Sequence, residues 1–185
     1  RVKLIKVISH DVERIERLIT DYSQMLKDEA SLSRAKMTKI NLLSVVNSVA
    51  EDFNSDLLNS NKNIIINIHD SNLKETEINV LGVESKLEQI LANLLENAIS
   101  FSPAHGKISV ICNIKEDNAQ LIIEDEGPGF NEKNIDKIFN RFYSNRPEKF
   151  GEHSGLGLNI VKNIIELHGG SILASNQTGS KKGAR

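Results

Sequence analysis

From Ile5 onward the apolar side chains fall at Ile5, Ile8, Val12, Ile15, Ile19, Tyr22 and Leu26, alternately three and four positions apart with charged residues between them. Residues at those separations share one face of a helix, so the spacing predicts a long helix with a single seam. A stripe that narrow is not buried by the helix that bears it. It asks for a partner helix, in a second copy of the chain or elsewhere in a longer parent, and the homodimer is the natural form; the plainer alternative is an amphipathic helix lying on its own domain. The charge-rich stretch from Asp28 to Lys39 then reads as a hinge or linker.

Beyond it the pattern changes. A short strand is expected at Thr38 to Asn41, a helix from Leu42 to about Asn59, and strands at Ile64 to His69 and Ile78 to Leu81. A second helix is expected from about Glu84 to Ile99, ending ahead of Ser102-Pro103 because the residue before a proline disfavours helical geometry. Lys107 to Ile114 and Ala119 to Asp125 alternate as strands and are joined through Lys115 to Asn118 as a hairpin. A last helix spans about Gly157 to His168, stopped by Gly169-Gly170, with a further strand at Ser171 to Ser175. Strands and helices in mixed order, with a hairpin, imply an α+β fold: a two-layer α/β sandwich of one sheet and one helical layer.

The size, 185 residues, suits one well-buried domain with a helical extension. We divide it into a helical segment, residues 1–33, and a compact domain, residues 34–185, whose last strand is expected to be cut short. With 4% aromatic residues the core must rest on Ile, Leu and Val. A net charge of −2 offers no broad attraction to nucleic acid, which is a poor first guess for a partner. Cys112 is the single cysteine, so neither a disulfide framework nor a multi-cysteine metal site arises within one copy. No apolar run approaches the length of a membrane span, and the first residues do not read as a signal peptide, so this piece is not expected to insert in a membrane. The absence of a first Met suggests a piece of a longer protein, one that could be membrane-anchored.

Three segments carry candidate chemistry. Asn93 and Asn97 stand one turn apart on the second helix and present two amides on one face; neutral oxygens of this kind suit Mg²⁺ that also keeps water and phosphate oxygens, although two Asn on a helix face usually mean nothing more than solvation. Asp125-Glu126-Gly127-Pro128-Gly129-Phe130 follows a strand. Its carboxylate can accept a hydrogen bond from the exocyclic amine of adenine, while Gly127 and Gly129 allow close backbone approach; a tight turn would use the same residues. Ser154-Gly155-Leu156-Gly157-Leu158 enters the last helix, where free backbone N–H groups form an anion site suited to phosphate; a glycine-softened loop before a helix would use the same residues. Neither a Rossmann fingerprint nor a P-loop is present, so ATP would bind by another scheme.

In this order the segments closely resemble the histidine kinase family, within the superfamily that also holds gyrase-, chaperone- and mismatch-repair-type ATPases. Gln89 to Pro103 resembles the N box, Asp125 to Gly129 the first glycine box, Ile138 to Tyr143 the F box, and Ser154 to Leu158 the second glycine box. Leu167-His168-Gly169-Gly170 is similar to a further hallmark, structural rather than catalytic. The resemblance implies the ATP-binding part of a sensor kinase of a two-component system, with Asn97 as Mg²⁺ ligand, Asn93 near the phosphates and Asp125 reading adenine beside Gly127 and Gly129. Gly155, Leu156, Gly157 and Leu158 would line the triphosphate, and residues 143–153, with Arg146, Lys149 and Gly151, would form a mobile lid flanked by Arg141 and Tyr143 as contacts. It implies transfer of the γ-phosphoryl to a histidine and thence to an Asp of a response-regulator receiver domain, in the cytoplasmic portion of a bacterial inner-membrane protein. The endings of the N box and F box are similar to those of α-proteobacterial envelope-sensing kinases.

Two departures change the picture. Where many members carry a Lys three positions after the metal Asn, this chain has Ser100, and Arg141, Arg146 or Lys162 are the candidates to replace its charge. Ser9-His10-Asp11 is similar to the start of the phosphoacceptor box, yet Val12 to Glu16 lacks the proline that follows in that box. Ile15 to Glu29 resembles the second dimerisation helix instead, so His10 reads as a decoy and the acceptor is expected upstream of Arg1. His69, His105, His153 and His168 lack metal spacing and read as surface or turn residues. Two other functions stay open: an ATPase of the same superfamily, which would carry a Glu where Asn93 stands, and a degenerate nucleotide-binding scaffold.

Overall fold

A computed structural model describes residues 35–58, 65–70, 77–131, 135–143, 155–178 and 182–185, with positions 12, 15, 16, 19, 20, 22, 23, 26, 27 and 30 of the N-terminal segment. Those N-terminal positions are helical. Val12, Ile15, Ile19 and Leu26 keep their side chains exposed, Ile19 at 60%, so this face is uncovered in a single chain. Tyr22, at a seam position, instead lies 6.2 Å from the Phe142 ring, with the Arg141 guanidinium over its face at 5.9 Å.

Strand β1 (Thr38–Asn41) leads directly into helix α1 (Leu42–Leu58). Asn41 makes this turn possible, because its Oδ1 accepts the N–H of Leu43 and caps the helix. Leu42, Val45, Val46, Ala50 and Leu57 recur at helical spacing and are all buried, which fixes the face that α1 turns inward. On the same helix, Asn54 grips strand β2 (Ile65–Asp70) at two points, accepting from the Ile66 N–H at 3.2 Å and donating to the Ile66 carbonyl at 3.3 Å.

Strand β3 (Asn79–Gly82) pairs antiparallel with β1 and hands the chain to helix α2 (Glu84–Phe101). Helix α2 runs to Phe101, past the Ile99 expected above, since the proline constrains only its neighbour: Ser102 is extended, with ψ of 143°. Strands β4 (Lys107–Lys115) and β5 (Asn118–Glu124) form the expected hairpin, turning on Glu116 and Asp117, both at positive φ. Strand β4 buries Ile108, Val110 and Cys112 at a period of two.

The strands form two hydrogen-bonded groups rather than the one sheet expected. One is the β1–β3 pair, and the other is a mixed sheet in the order β2-β4-β5, with β2 parallel to β4. Helices α1 and α2 pack on this framework, giving the expected α+β two-layer arrangement. The inward face of α2, with Leu91, Leu95 and Ala98, meets α1 and the sheet in the main core. Its flank at Ile90 meets Val161 and Ile164 of helix α3 (Gly157–Leu167) in a second cluster. Two faces of α2 are thereby fixed, and the Asn93 and Asn97 face is left beside the start of α3.

The strand expected at Ser171 to Ser175 does not form along its length. Only Asn176 makes a bridge, to Ala184, with Ser175 and Arg185 exchanging a pair of hydrogen bonds of 2.8 Å. The partner backbone needed by residues 171–174 for a ladder is not found among the described residues.

Candidate functional site

Helix α2 is the spine of the site. Asn93 donates its Nδ2 to the Gln89 carbonyl at 2.8 Å, and Asn97 donates its own to the Asn93 carbonyl at 3.0 Å. Both amides are thus tied back to the helix through nitrogen, which leaves each Oδ1 as the free pole. Gly157 opens α3 directly against them: a methyl group there would lie 2.9 Å from Asn93 Oδ1 and 3.7 Å from Asn97 Nδ2. Leu156, fully buried, is the N-cap residue of α3 and offers no side-chain cap, so the first N–H groups of the helix face this corner without an internal partner. Leu158 sits half-buried in the first turn.

Asp125 stands at the other end of the same wall. The residue is only 8% exposed, and its Oδ1 accepts N–H bonds from Gly127 at 2.8 Å and Ala184 at 3.2 Å. Among the described residues no hydrogen bond falls on Oδ2. Burial raises the carboxyl above the ordinary aspartate range, and the two backbone bonds act in the opposite sense without cancelling it. The glycine turn is packed against α2 here: a methyl at Gly127 would meet Asp125 Oδ1 at 2.8 Å and the Phe101 carbonyl at 2.9 Å. One helix therefore carries the amide pair to the start of α3 and, one turn further on, its last residue to the carboxylate.

The glycines have a reason within the protein itself, whose own side-chain and backbone atoms occupy the space. Gly129, at φ of 75°, would push a side chain into Asn176 Oδ1 at 2.6 Å. Gly155, at φ of 70°, lies against the Phe142 and Tyr143 backbone, 2.8 Å from the Tyr143 carbonyl to a methyl placed there. The two ends of the expected lid thus touch, and Phe142 is itself held at φ of 61°, a rarely occupied conformation for a bulky residue. Of that lid itself, residues 144–154, with Arg146, Lys149, Gly151, His153 and Ser154, lie outside the described residues, as do Ser9, His10 and Asp11.

Several supports have no local sign in the sequence. Asn176 holds the glycine turn at two points, accepting from the Phe130 N–H at 2.6 Å and donating to the Phe130 carbonyl at 2.9 Å. Gln177 donates to the Asp125 carbonyl at 2.6 Å. Asn159, in the first turn of α3, donates to the Phe139 carbonyl and anchors the 3-10 turn Ile135–Phe139 of the F box. It also accepts from Arg141 Nε at 3.3 Å. Of the candidates to replace the missing Lys, Lys162 lies 3.8 Å from Glu166 on the solvent side of α3, and Arg141 is held between Asn159 and Tyr22. Among the described residues no three His, Cys, Asp or Glu come together as metal ligands, and no helix is long and apolar enough to cross a membrane.

Helices packed on a mixed sheet in this order make the α+β fold of an ATPase domain. The chain belongs to the family of histidine kinase-, DNA gyrase B- and HSP90-like ATPases, whose model matches residues 82–185. Among curated relatives, the sensor protein ChvG of Rhizobium meliloti (strain 1021) is 37% identical over 182 residues, covering 96% of this chain and 31% of that protein. The sensor protein kinase PmrB of Pseudomonas aeruginosa is 34% identical over 167 residues, covering 89% and 33% respectively. The solved structure of the Acinetobacter baumannii histidine kinase AdeS matches with a TM-score of 0.61 at 28% identity, covering 99% of this chain and 78% of that one. The chain spans about a third of the length of the curated relatives.

Proposed function

We propose that this chain is the ATP-binding catalytic part of a sensor histidine kinase, residues 34–185, joined to the second dimerisation helix, residues 1–33, of a homodimeric protein whose phosphoacceptor histidine lies outside it. The observation that carries the reading is the contact of Asn93 and Asn97 with the open N-terminus of α3 at Gly157, one helix turn from the Phe101–Gly127–Asp125 corner. In this arrangement Asp125 accepts the adenine amine through its open oxygen, beside Gly127 and Gly129. The N–H groups around Gly155, Leu156, Gly157 and Leu158 hold phosphate oxygens. Asn97 Oδ1 fits Mg²⁺, since its amide nitrogen is already committed to the helix and leaves the oxygen to coordinate; the metal would supply neutralisation of phosphate charge when bound. Arg141 and Tyr143 border the lid and complete the cation-bearing rim.

Catalysis is then chiefly positioning. The imidazole nitrogen of the acceptor forms the new N–P bond as the bond from the γ-phosphorus to its bridging oxygen breaks, and ADP departs. The phosphoryl passes next to an Asp of a response-regulator receiver domain. Hydrolysis in the manner of the related ATPases is disfavoured, because Asn93 occupies the place of the carboxylate base those enzymes use and an amide does not take a proton from water. The parent protein would hold this part on the cytoplasmic side of a bacterial inner membrane.

Incubation of the chain with γ-labelled ATP and Mg²⁺, alone and with the separately produced dimerisation domain of a ChvG relative, tests this. The expected result is an acid-labile, base-stable label on the added domain and none on the chain itself. Label on His10 would overturn the assignment of the N-terminal helix, and steady release of phosphate with no labelled protein would favour the ATPase.

A further inference from the structure

The walls of the proposed site belong to two helices that also meet at the end far from it. Helices α2 and α3 run antiparallel: Gly157, first in α3, meets Asn93 in the middle of α2, while His168, just after α3, meets Val83, just before α2. Between these ends Ile90 packs against Val161 and Ile164, with Leu87, Leu94 and Ile160 around them. Interlocked packing of this kind restrains the two helices along their length, and a hydrogen bond at one end adds a directional restraint to it.

His168 provides the directional contact. Its Nδ1 lies 2.8 Å from the Ile164 carbonyl, and its Nε2 lies 3.1 Å from the Val83 backbone nitrogen. A carbonyl only accepts and a backbone N–H only donates, so the ring carries its proton on Nδ1 and receives the Val83 N–H on Nε2. Val83 is the N-cap residue of α2, and its carbonyl accepts the N–H groups of Lys86 and Leu87. The bond therefore grips the residue from which α2 springs. The ring is held firmly on its own side as well, because Gly169 and Gly170 close α3 with bonds to the carbonyls of Glu166 and Ile165. Gly82 leaves room for it: a methyl at Gly82 would lie 3.1 Å from His168 Cδ2. Asn93 stands about 15 Å along α2 from this point at the rise of an α-helix. At that point α3 approaches α2 closely, with only 2.9 Å between Asn93 Oδ1 and a methyl placed on Gly157.

We propose that His168 is a positioning residue, which fixes the axial register of α3 against α2 and so holds the phosphate-facing N–H groups of α3 opposite the Asn93 and Asn97 amides. The inference rests on the site reading above and deepens it. It concerns the phosphate end alone, since Asp125 is held by the glycine turn and by Ala184, neither of which His168 touches.

The test compares Mg·ATP with adenosine as ligands of the whole 185-residue chain and of H168Q, H168N and H168A, at a temperature where each is folded. The Gln amide oxygen reaches the place of Nε2 and accepts the Val83 N–H; the Asn amide reaches only the place of Nδ1 and leaves Val83 without its acceptor. Loss of such a bond with a slipped register is expected to weaken Mg·ATP about tenfold or more in H168N and H168A, with adenosine affinity within about twofold of the parent. H168Q should bind both ligands nearly as the parent does. Proportional loss of both ligands, parent-like binding by H168A, or failure of H168Q to recover Mg·ATP would each overturn the inference while leaving the site standing. A parent chain that binds adenosine but shows no gain for Mg·ATP would remove the phosphate site and the inference together.

Discussion

Asp125 shows how one side chain serves two demands of opposite sign. Burial disfavours its charge, while the recognition of an amine proposed for it is strongest with the charged, accepting form. Because the folded state binds its proton more tightly than the unfolded chain does, the stability this group contributes is complete below the ordinary aspartate range and is lost as pH rises through the raised folded value. Adenine affinity runs the other way, falling as acid neutralises the carboxylate. Asp125→Asn keeps an oxygen for the Gly127 and Ala184 N–H groups but turns the ligand-facing atom into a donor. At neutral pH it is expected to weaken ATP binding by about 1.5–3 kcal/mol, the worth of a hydrogen bond to a charged group, without a lowered melting temperature. Calorimetric titrations and melting curves from acid to neutral pH check both: across that range the parent should lose stability relative to D125N and gain affinity relative to it. Asn93, Asn97, Asp125 and Gly157 were legible as candidates, being residue types at fixed places in the chain. The hold of Asn176 on the Phe130 backbone was not, because an Asn that grips a turn 46 residues away has nothing beside it in sequence to mark it.

At the level of elements, ends were written locally and pairings were not. Asn41 before α1, Pro103 after α2 and Gly169-Gly170 after α3 each act within a few residues, and each boundary fell close to where they stand. The Ser171 to Ser175 segment has the composition of a strand, but a strand is defined by its partner, and the described backbone opposite it begins only near Gly183. The grouping of strands into two sheets was hidden for the same reason. Gly169 gives a clean check on the cap, since it holds φ of 75° while no atom lies within 4 Å of a methyl placed on it. Gly169→Ala therefore meets a conformational cost alone, about 1 kcal/mol, and should lower the melting temperature by roughly 2–4 °C. Mg·ATP affinity should hold as long as His168 keeps its bond to Val83. A larger loss of stability would mean that the glycine is packed rather than merely left-handed.

The whole molecule places three separately encoded segments on one wall by giving α2 three occupied faces: one to the main core, one to α3, and one to the site. The order of the segments along the chain announced the family; the wall itself depends on contacts such as Phe101 with Gly127 and Asn93 with Gly157, which join residues 26 and 64 positions apart and which no local pattern displays. The N-terminal helix stands apart in this respect, its seam at Val12, Ile15, Ile19 and Leu26 exposed while Tyr22 rests on Phe142. The central claim, one Mg·ATP site built from all three segments, is tested most directly by titrating the isotope-labelled chain with a non-hydrolysable ATP analogue in the presence of Mg²⁺ and following backbone amide resonances. Amides around Asn93 to Phe101, Asp125 to Phe130 and Gly155 to Asn159 should shift together and saturate at a single dissociation constant, with the Asn97 and Gly157 shifts reduced when Mg²⁺ is chelated. Segments that saturate independently, or a response confined to one of them, would contradict it.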